Sequence, residues 1–123
     1  MKHFLLIFIG GGFGSMARYA VGKWLNTDNS IPYGTMLANV LGCFIIGLVM
    51  GYILKSNSSH QNLALLIGTG FCGGFTTFST FALENQTLLK NGDFLHFFYY
   101  AFGSILLGFF AVFLGIFLTR FID

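Results

Sequence analysis

The sequence predicts an all-α integral membrane protein of four transmembrane helices, folded as a single domain over residues 1–123. Three observations predict it. Hydrophobic residues make up 55% of the chain and charged residues 8%, against roughly 25% charged in a soluble domain. Four apolar stretches each reach the length, about 20 residues, that a helix needs to cross the hydrocarbon. The polar connectors between them, Asn26 to Ser30, Lys55 to Asn62 and Lys90 to Asp93, are of hairpin length and leave no room for a soluble catalytic domain.

The first span is predicted over about 4–25, with Arg18 near its far end. The second covers about 33–54, and Pro32 stands just before it, where a missing N–H does a helix no harm. The third covers about 63–89 and the fourth about 94–119. Lys2 and the apolar run from Phe4 to Ile9 imitate a signal peptide, but the apolar character continues and no small-residue cleavage site follows. The Gly10/Gly14 and Gly47/Gly51 pairs, four apart, have the spacing of close helix contacts. Cys43 and Cys72 lie in apolar stretches without a CxxC pair or a histidine cluster, and read as small buried hydrophobes.

Charge gives no orientation. Four spans put the termini and the second connector on one side, with Lys2, Lys55 and Arg120; the other side carries Arg18, Lys23 and Lys90. A tie under the positive-inside rule favours dual topology, with copies inserted both ways and paired antiparallel; a single deciding charge such as Lys2 is the plainer alternative. The net charge of +2 is small and scattered, so nucleic acid is excluded as a partner. No phosphate loop, zinc spacing or nucleophile–base arrangement stands in the sequence, so it does not read as an enzyme.

The third span departs from ordinary helix sequence. Gly68, Gly70, Gly73 and Gly74 fall within seven residues, each costing a helix about 1 kcal/mol relative to Ala. A break is expected near Gly73 to Thr76. Freed backbone groups in a bilayer are tolerated only where they are buried in protein or bind something, and half-helix carbonyls suit a cation such as Na⁺. For Gly68 and Gly70, admission of a neighbouring backbone is an equal explanation. Beyond the break, Phe75, Phe78 and Phe81 recur every third residue, so they share one side of a helix, with Thr76, Thr77, Ser79 and Thr80 between them. Positive ring edges beside hydroxyl donors accept a small anion; rings facing lipid are the plainer alternative.

Polar groups elsewhere fall inside apolar spans, where they bridge helices or serve function: Asn39 in the second, Tyr100 and Ser104 one turn apart in the fourth. Two readings of Arg18 stand, a side chain snorkelling to the headgroups and a vestibule charge that concentrates anions. Glu84 lies eight to eleven residues beyond the expected break, about 12–16 Å along a helix. That sets it near the hydrocarbon edge, which favours an interfacial residue over a proton-coupled one.

Three motifs carry a family resemblance: Gly10-Gly11-Gly12-Phe13-Gly14-Ser15-Met16-Ala17-Arg18-Tyr19, Gly34-Thr35-Met36-Leu37-Ala38-Asn39-Val40-Leu41-Gly42, and Gly70-Phe71-Cys72-Gly73-Gly74-Phe75-Thr76-Thr77-Phe78-Ser79-Thr80-Phe81. In order, spacing and chain length they resemble the Fluc/CrcB fluoride channels of the cell inner membrane. The resemblance implies an antiparallel homodimer with two pores and a structural Na⁺ at its centre, held by main-chain carbonyls of Gly73 and Thr76. It implies that Phe78 and Phe81 line the fluoride path, that Asn39 donates to the ion, and that Ser79 and Thr80 bring hydroxyls near it. Tyr100 and Ser104 would extend a polar track on the fourth span, where Gly108 replaces a further hydroxyl of some relatives. Arg18 would set a vestibule or the fold of that end. The function implied is passive export of fluoride that entered as hydrogen fluoride, a resistance function. Two rivals differ visibly: a dual-topology multidrug exporter needs a carboxylate in the first span, which Phe4 to Leu25 lacks, and half of a paralogue heterodimer would have lost one motif set.

Overall fold

The computed structural model describes residues 1–27, 31–56 and 59–122; parts of the first two connectors, 28–30 and 57–58, lie outside the described residues. Its elements are helices α1 (Lys2–Leu25), α2 (Tyr33–Lys55) and α3 (Gln61–Leu63), a π-helical stretch (Ala64–Cys72), then α4 (Gly73–Phe75), α5 (Phe78–Lys90), α6 (Phe94–Leu118) and a 3₁₀ turn (Thr119–Phe121). Four helical spans are long and apolar enough to cross a membrane: Lys2–Leu25, Tyr33–Lys55, Gln61–Lys90 and Phe94–Phe121. Among the described residues there is no strand.

The termini of these elements follow from local chemistry. Asn26 caps α1 by directing its N–H to the Gly22 carbonyl, and its side-chain oxygen accepts the first N–H groups of α2, from Gly34 (2.7 Å) and Thr35 (3.2 Å). One amide therefore closes the first hairpin. At the third connector Gly92 takes φ +72°, open to a residue without Cβ. Its N–H bonds the Leu89 carbonyl while that of Asp93 bonds Leu88, the double closure of a Schellman motif. Asp93 then caps α6 by accepting from the His96 N–H. At the other end the Lys55 ammonium donates to the Ile122 carbonyl, tying the second hairpin to the C-terminal segment.

Packing depends on glycine. α2 packs along α6, and α1 packs along the π-helical stretch and α4; α2 also touches α1 and the third span. A Cβ on Gly10 or Gly14 would strike the backbone of Leu66 or Phe71, and one on Gly47 would strike the Val112 carbonyl. From the opposite side, a Cβ on Gly115 would lie 2.5 Å from the Phe44 oxygen. Both glycine pairs singled out in the sequence are thus contact faces. Lipid tails are as apolar as leucine, so close backbone approach, rather than a hydrophobic drive, joins the helices. The large apolar side chains point outward instead: Phe8, Phe109 and Phe113 are exposed, which suits a surface bathed in acyl chains. Among the described residues, Ile31, Leu88 and Tyr100 form a buried cluster at the α5–α6 end, flanked by Met36, Phe81 and Phe97, and Phe75 is buried apart from it.

These contacts set a contrast between glycines. Gly47→Val is expected to lower the thermal midpoint of the detergent-solubilised protein strongly, since overpacking costs about 1–3 kcal/mol or more. Gly12→Ala, where nothing stands within 4 Å of the added carbon, is expected to leave it unchanged or raised, by up to about 1 kcal/mol of helix propensity. Thermal unfolding followed by tryptophan fluorescence or circular dichroism checks both.

Candidate ion pathway and the interruption of the third span

Between α4 and α5 the backbone leaves the helix for two residues, Thr76 (φ −84°, ψ 153°) and Thr77 (φ −148°, ψ 119°). Gly73 and Gly74 themselves stay helical. In a bilayer each polar group released here needs a partner within the protein, and named side chains supply several. Asn39 of α2 lies alongside like a neighbouring strand: the Thr77 N–H donates to its Oδ1 (2.7 Å) and its Nδ2 donates to the Thr77 carbonyl (3.2 Å). Arg18 of α1 donates from Nε to the Gly74 carbonyl (3.0 Å), the group that an unbroken helix would have offered to the Phe78 N–H. The Thr77 hydroxyl caps α5 by accepting from the Thr80 N–H (3.2 Å). The Thr76 hydroxyl turns back to the Cys72 carbonyl (2.7 Å).

Two further carbonyls lose their helical donors in this exchange. A continuous helix would pair the Gly73 oxygen with the Thr77 N–H and the Thr76 oxygen with the Thr80 N–H. Those donors go instead to Asn39 and to the Thr77 hydroxyl. Gly73 is exposed, with nothing within 4 Å of where its Cβ would stand. Among the described residues no group of three or more His, Cys, Asp or Glu is placed to hold a metal ion. Backbone oxygens and hydroxyls are therefore what this region offers a cation, a donor set for a hard ion rather than a transition metal.

An open groove of about 500 Å³ runs along this interruption between α2, the third span and α6. Of the residues singled out in the sequence, it brings together Asn39, Gly73, Thr76, Phe78, Phe81 and Ser104. The Phe78 and Phe81 rings lie 6.1 Å apart, Phe78 largely exposed and Phe81 half-buried. Ser104 lines the groove, and its hydroxyl is buried with no hydrogen-bond partner among the described residues. Gly108 lines the same wall one turn further, and Cys43 comes within 3.5 Å of where its Cβ would be. Asn39 Nδ2 carries two hydrogens, and the Thr77 carbonyl takes one. The first N–H groups of α5 also open here, with the positive end of its helix dipole.

Four singled-out residues stand off the groove. Ser79 is exposed, its Oγ 3.3 Å from the Thr77 hydroxyl. Thr80 takes part through its backbone N–H. Arg18 is half-buried against Gly74 rather than extended to the headgroups. Tyr100 is wholly buried; its ring packs on Phe81 at 5.2 Å and its hydroxyl donates to Glu84 Oε1 (3.1 Å). Glu84, read from the sequence as interfacial, turns inward, and its Oε2 accepts from the Thr35 hydroxyl (3.1 Å). Sequence reasoning missed Thr35. The signal for it was its spacing: with Asn39 and Gly42 it forms one face of α2 turned toward the third span.

The clasp around the interruption predicts how it fails. Arg18→Leu leaves the Gly74 carbonyl unpaired and Asn39→Leu releases both Thr77 groups. Each is expected to destabilise the protein by about 1–3 kcal/mol and to raise hydrogen exchange at the Thr77 amide. Thermal unfolding and amide exchange by mass spectrometry check both effects.

Comparison with known proteins matches this frame. The family model described as "CrcB-like protein, Camphor Resistance (CrcB)" matches residues 5–116. A protein of Gloeothece citriformis named "Fluoride-specific ion channel FluC" is 48% identical over 122 residues, covering 98% of each chain. Relatives of the same name in Phocaeicola vulgatus and Chlorobium chlorochromatii are 44% and 40% identical. Those matches cover 98% and 96% of this chain and 100% and 92% of the relatives. With four apolar spans and end-to-end similarity to membrane channels, this chain is a multi-pass membrane protein and belongs to the CrcB family.

Proposed function

We propose that the protein is a fluoride-selective passive channel of the cell inner membrane, which lets cytoplasmic fluoride out and gives fluoride resistance. The observation that carries this reading is the groove at the third-span interruption, read together with full-length similarity to relatives named as fluoride-specific channels. Hydrogen fluoride crosses membranes uncharged and ionises inside, so the trapped anion needs only a path down its gradient. A pore for it must replace hydration with donors, yet hold the ion weakly enough to release it. The groove offers such a set without a lysine or arginine at its centre: the second amide hydrogen of Asn39, the hydroxyl of Ser104, the edges of Phe78 and Phe81 and the N-terminal end of α5. Ser79 and Thr80 lie on the first turn of α5 beside it. Tyr100 supports the Phe81 ring, and Gly108 leaves the α6 wall without a hydroxyl one turn beyond Ser104.

The working unit is an antiparallel homodimer. The balanced charges of the two sides support it, as does a groove that stands open on one face of the protomer with the exposed ring of Phe78 on its rim. Interruption of the third span is the device that makes a centre. The carbonyls of Gly73 and Thr76, each deprived of its helical donor, fit a structural Na⁺ shared between two copies. The ion supplies positive charge where two half-helices would otherwise direct carbonyls at each other. Arg18 contributes through the fold of this region, by holding the Gly74 carbonyl.

Purified protein in liposomes is expected to release fluoride rapidly and in response to voltage, with no matching chloride release, as followed by ion-selective electrodes. Phe78→Ala and Phe81→Ala are each expected to slow the release by about tenfold or more, equivalent to about 1.4 kcal/mol of barrier. Absence of release from a folded homodimer would point to a required partner subunit. The Na⁺ site has its own signature. Because an ion that binds only the folded state stabilises it by mass action, the thermal midpoint is expected to rise with Na⁺ and not with choline at equal ionic strength.

A further inference from the structure

The hydrogen bonds of Asn26 determine more than a hairpin. Its Oδ1 accepts two backbone N–H groups, from Gly34 and Thr35. Backbone amides only donate, so these two contacts identify which end of the Asn26 amide is oxygen. The other end, Nδ2, therefore faces the Thr35 hydroxyl at 3.1 Å, and it too only donates. Thr35 Oγ1 must accept from Asn26 and direct its single proton elsewhere. The acceptor in reach is Glu84 Oε2, at 3.1 Å. Tyr100 donates to the other carboxylate oxygen at 3.1 Å. Glu84 Oε2 is thus fixed as an acceptor, because a proton on it would meet the proton of Thr35.

We propose that Asn26, at the end of α1, is a positioning residue that orients the Thr35 hydroxyl toward Glu84 and thereby favours the ionised form of that carboxylate. The chain reaches the groove because Tyr100, the second donor to Glu84, carries its ring against Phe81. Among the described residues, other charged groups at this end do not take over the task. Lys23 closes α1 and Lys90 closes α5, and among the described residues neither forms an ion pair with Glu84. His96 of α6 pairs with Asp93, and Arg18 of α1 is engaged with the Gly74 carbonyl. Tyr100 is the titratable group that touches the carboxylate.

Asn26→Asp tests the direction of the chain with little change of shape. The substituted carboxylate still accepts from Gly34 and Thr35, so the hairpin keeps its closure, but it has no donor for Thr35. The Thr35 proton then turns toward that new carboxylate, and Glu84 binds a proton and donates it to Thr35 Oγ1. Infrared titration of the purified, detergent-solubilised dimer reads this directly through the protonated-carboxyl band, assigned to Glu84 by its loss in Glu84→Gln. The midpoint is expected to move up by about one pH unit or more in Asn26→Asp, as loss of a hydrogen bond to the charged form requires. Thr35→Val removes the same bond and is expected to move it likewise, while Thr35→Ser restores it. Combined, Asn26→Asp and Thr35→Val should shift the midpoint by less than the sum of the two, because both act on one interaction.

An unchanged midpoint in folded Asn26→Asp overturns the proposal. So does a fully additive double variant, which would mean that the new carboxylate acts by its charge alone. Should Asn26→Asp fail to assemble, Asn26→Ala takes its place: it frees the Thr35 hydroxyl to turn, a smaller upward shift is expected, and a wild-type midpoint overturns the proposal. The pH profile of fluoride efflux from liposomes is expected to move in parallel. That arm rests on the channel reading, whereas the infrared arm does not. A shifted infrared midpoint with no efflux from any variant would therefore count against the channel and not against Asn26.

Discussion

A backbone that crosses a membrane must satisfy its own hydrogen bonds, and this chain interrupts that rule at two residues. Thr76 and Thr77 are extended in the middle of the third span, where each unpaired polar group would cost several kcal/mol in hydrocarbon. Much of the rest of the molecule is arranged around that cost. Asn39 from α2 takes both backbone groups of Thr77, Arg18 from α1 takes the Gly74 carbonyl, and Thr77 caps the helix that follows it. Two neighbouring spans are thereby tied to the interruption by groups that a continuous helix would have left without a task. What stays over beside an open groove is a small set of groups: the Gly73 and Thr76 oxygens, one amide hydrogen and a buried serine hydroxyl without a partner among the described residues.

Such a clasp works only at short range, and glycine provides the range. Asparagine reaches across the gap only if α2 approaches closely, and Gly42 stands where any side chain would strike Thr76. The same holds for Arg18, carried on a helix whose Gly10 and Gly14 touch the backbone of the third span. The polar contacts and the close packing are therefore one design. Small residues bring the backbones together, and polar side chains at the edges of those contacts meet the groups exposed by the interruption. Large apolar side chains are left for the outer surface, where acyl chains solvate them and they add little to association between helices.

A second polar assembly, at the α5–α6 end, obeys a different logic. Asn26, at the end of α1, and Thr35, Glu84 and Tyr100, from the other three spans, form a hydrogen-bonded chain in which the donors from Asn26 and Thr35 are assigned by elimination. A carboxylate is costly in a membrane protein unless it is fully hydrogen-bonded, and here both oxygens are. Because Tyr100 also packs on Phe81, this chain touches one of the rings that border the groove.

The sequence by itself determined the membrane class, the four spans, the glycine contact faces and the unusual character of the third span, because each depends on local composition or short-range spacing. Apolar length decides insertion, and two glycines four apart share a helix face in any fold. It also singled out Asn39, Phe78, Phe81 and Ser104, since polar or periodic aromatic residues stand out inside an apolar span. Only the tertiary structure decided which group each one serves. Gly73 and Gly74, the weakest helix formers locally, remain helical, and the backbone departs at Thr76 and Thr77 because Asn39 and Arg18 wait there to receive it. Arg18 and Glu84, near the span ends, were legible as charges but not as inward-turned ones. For Glu84, hydrogen bonds from Thr35 and Tyr100, 49 and 16 residues away in the chain, outweigh the pull of the headgroups. Partners so distant leave no periodicity in the sequence, and Asn26, an ordinary helix-ending residue by its position, acquires its role only when the fold sets it against Thr35.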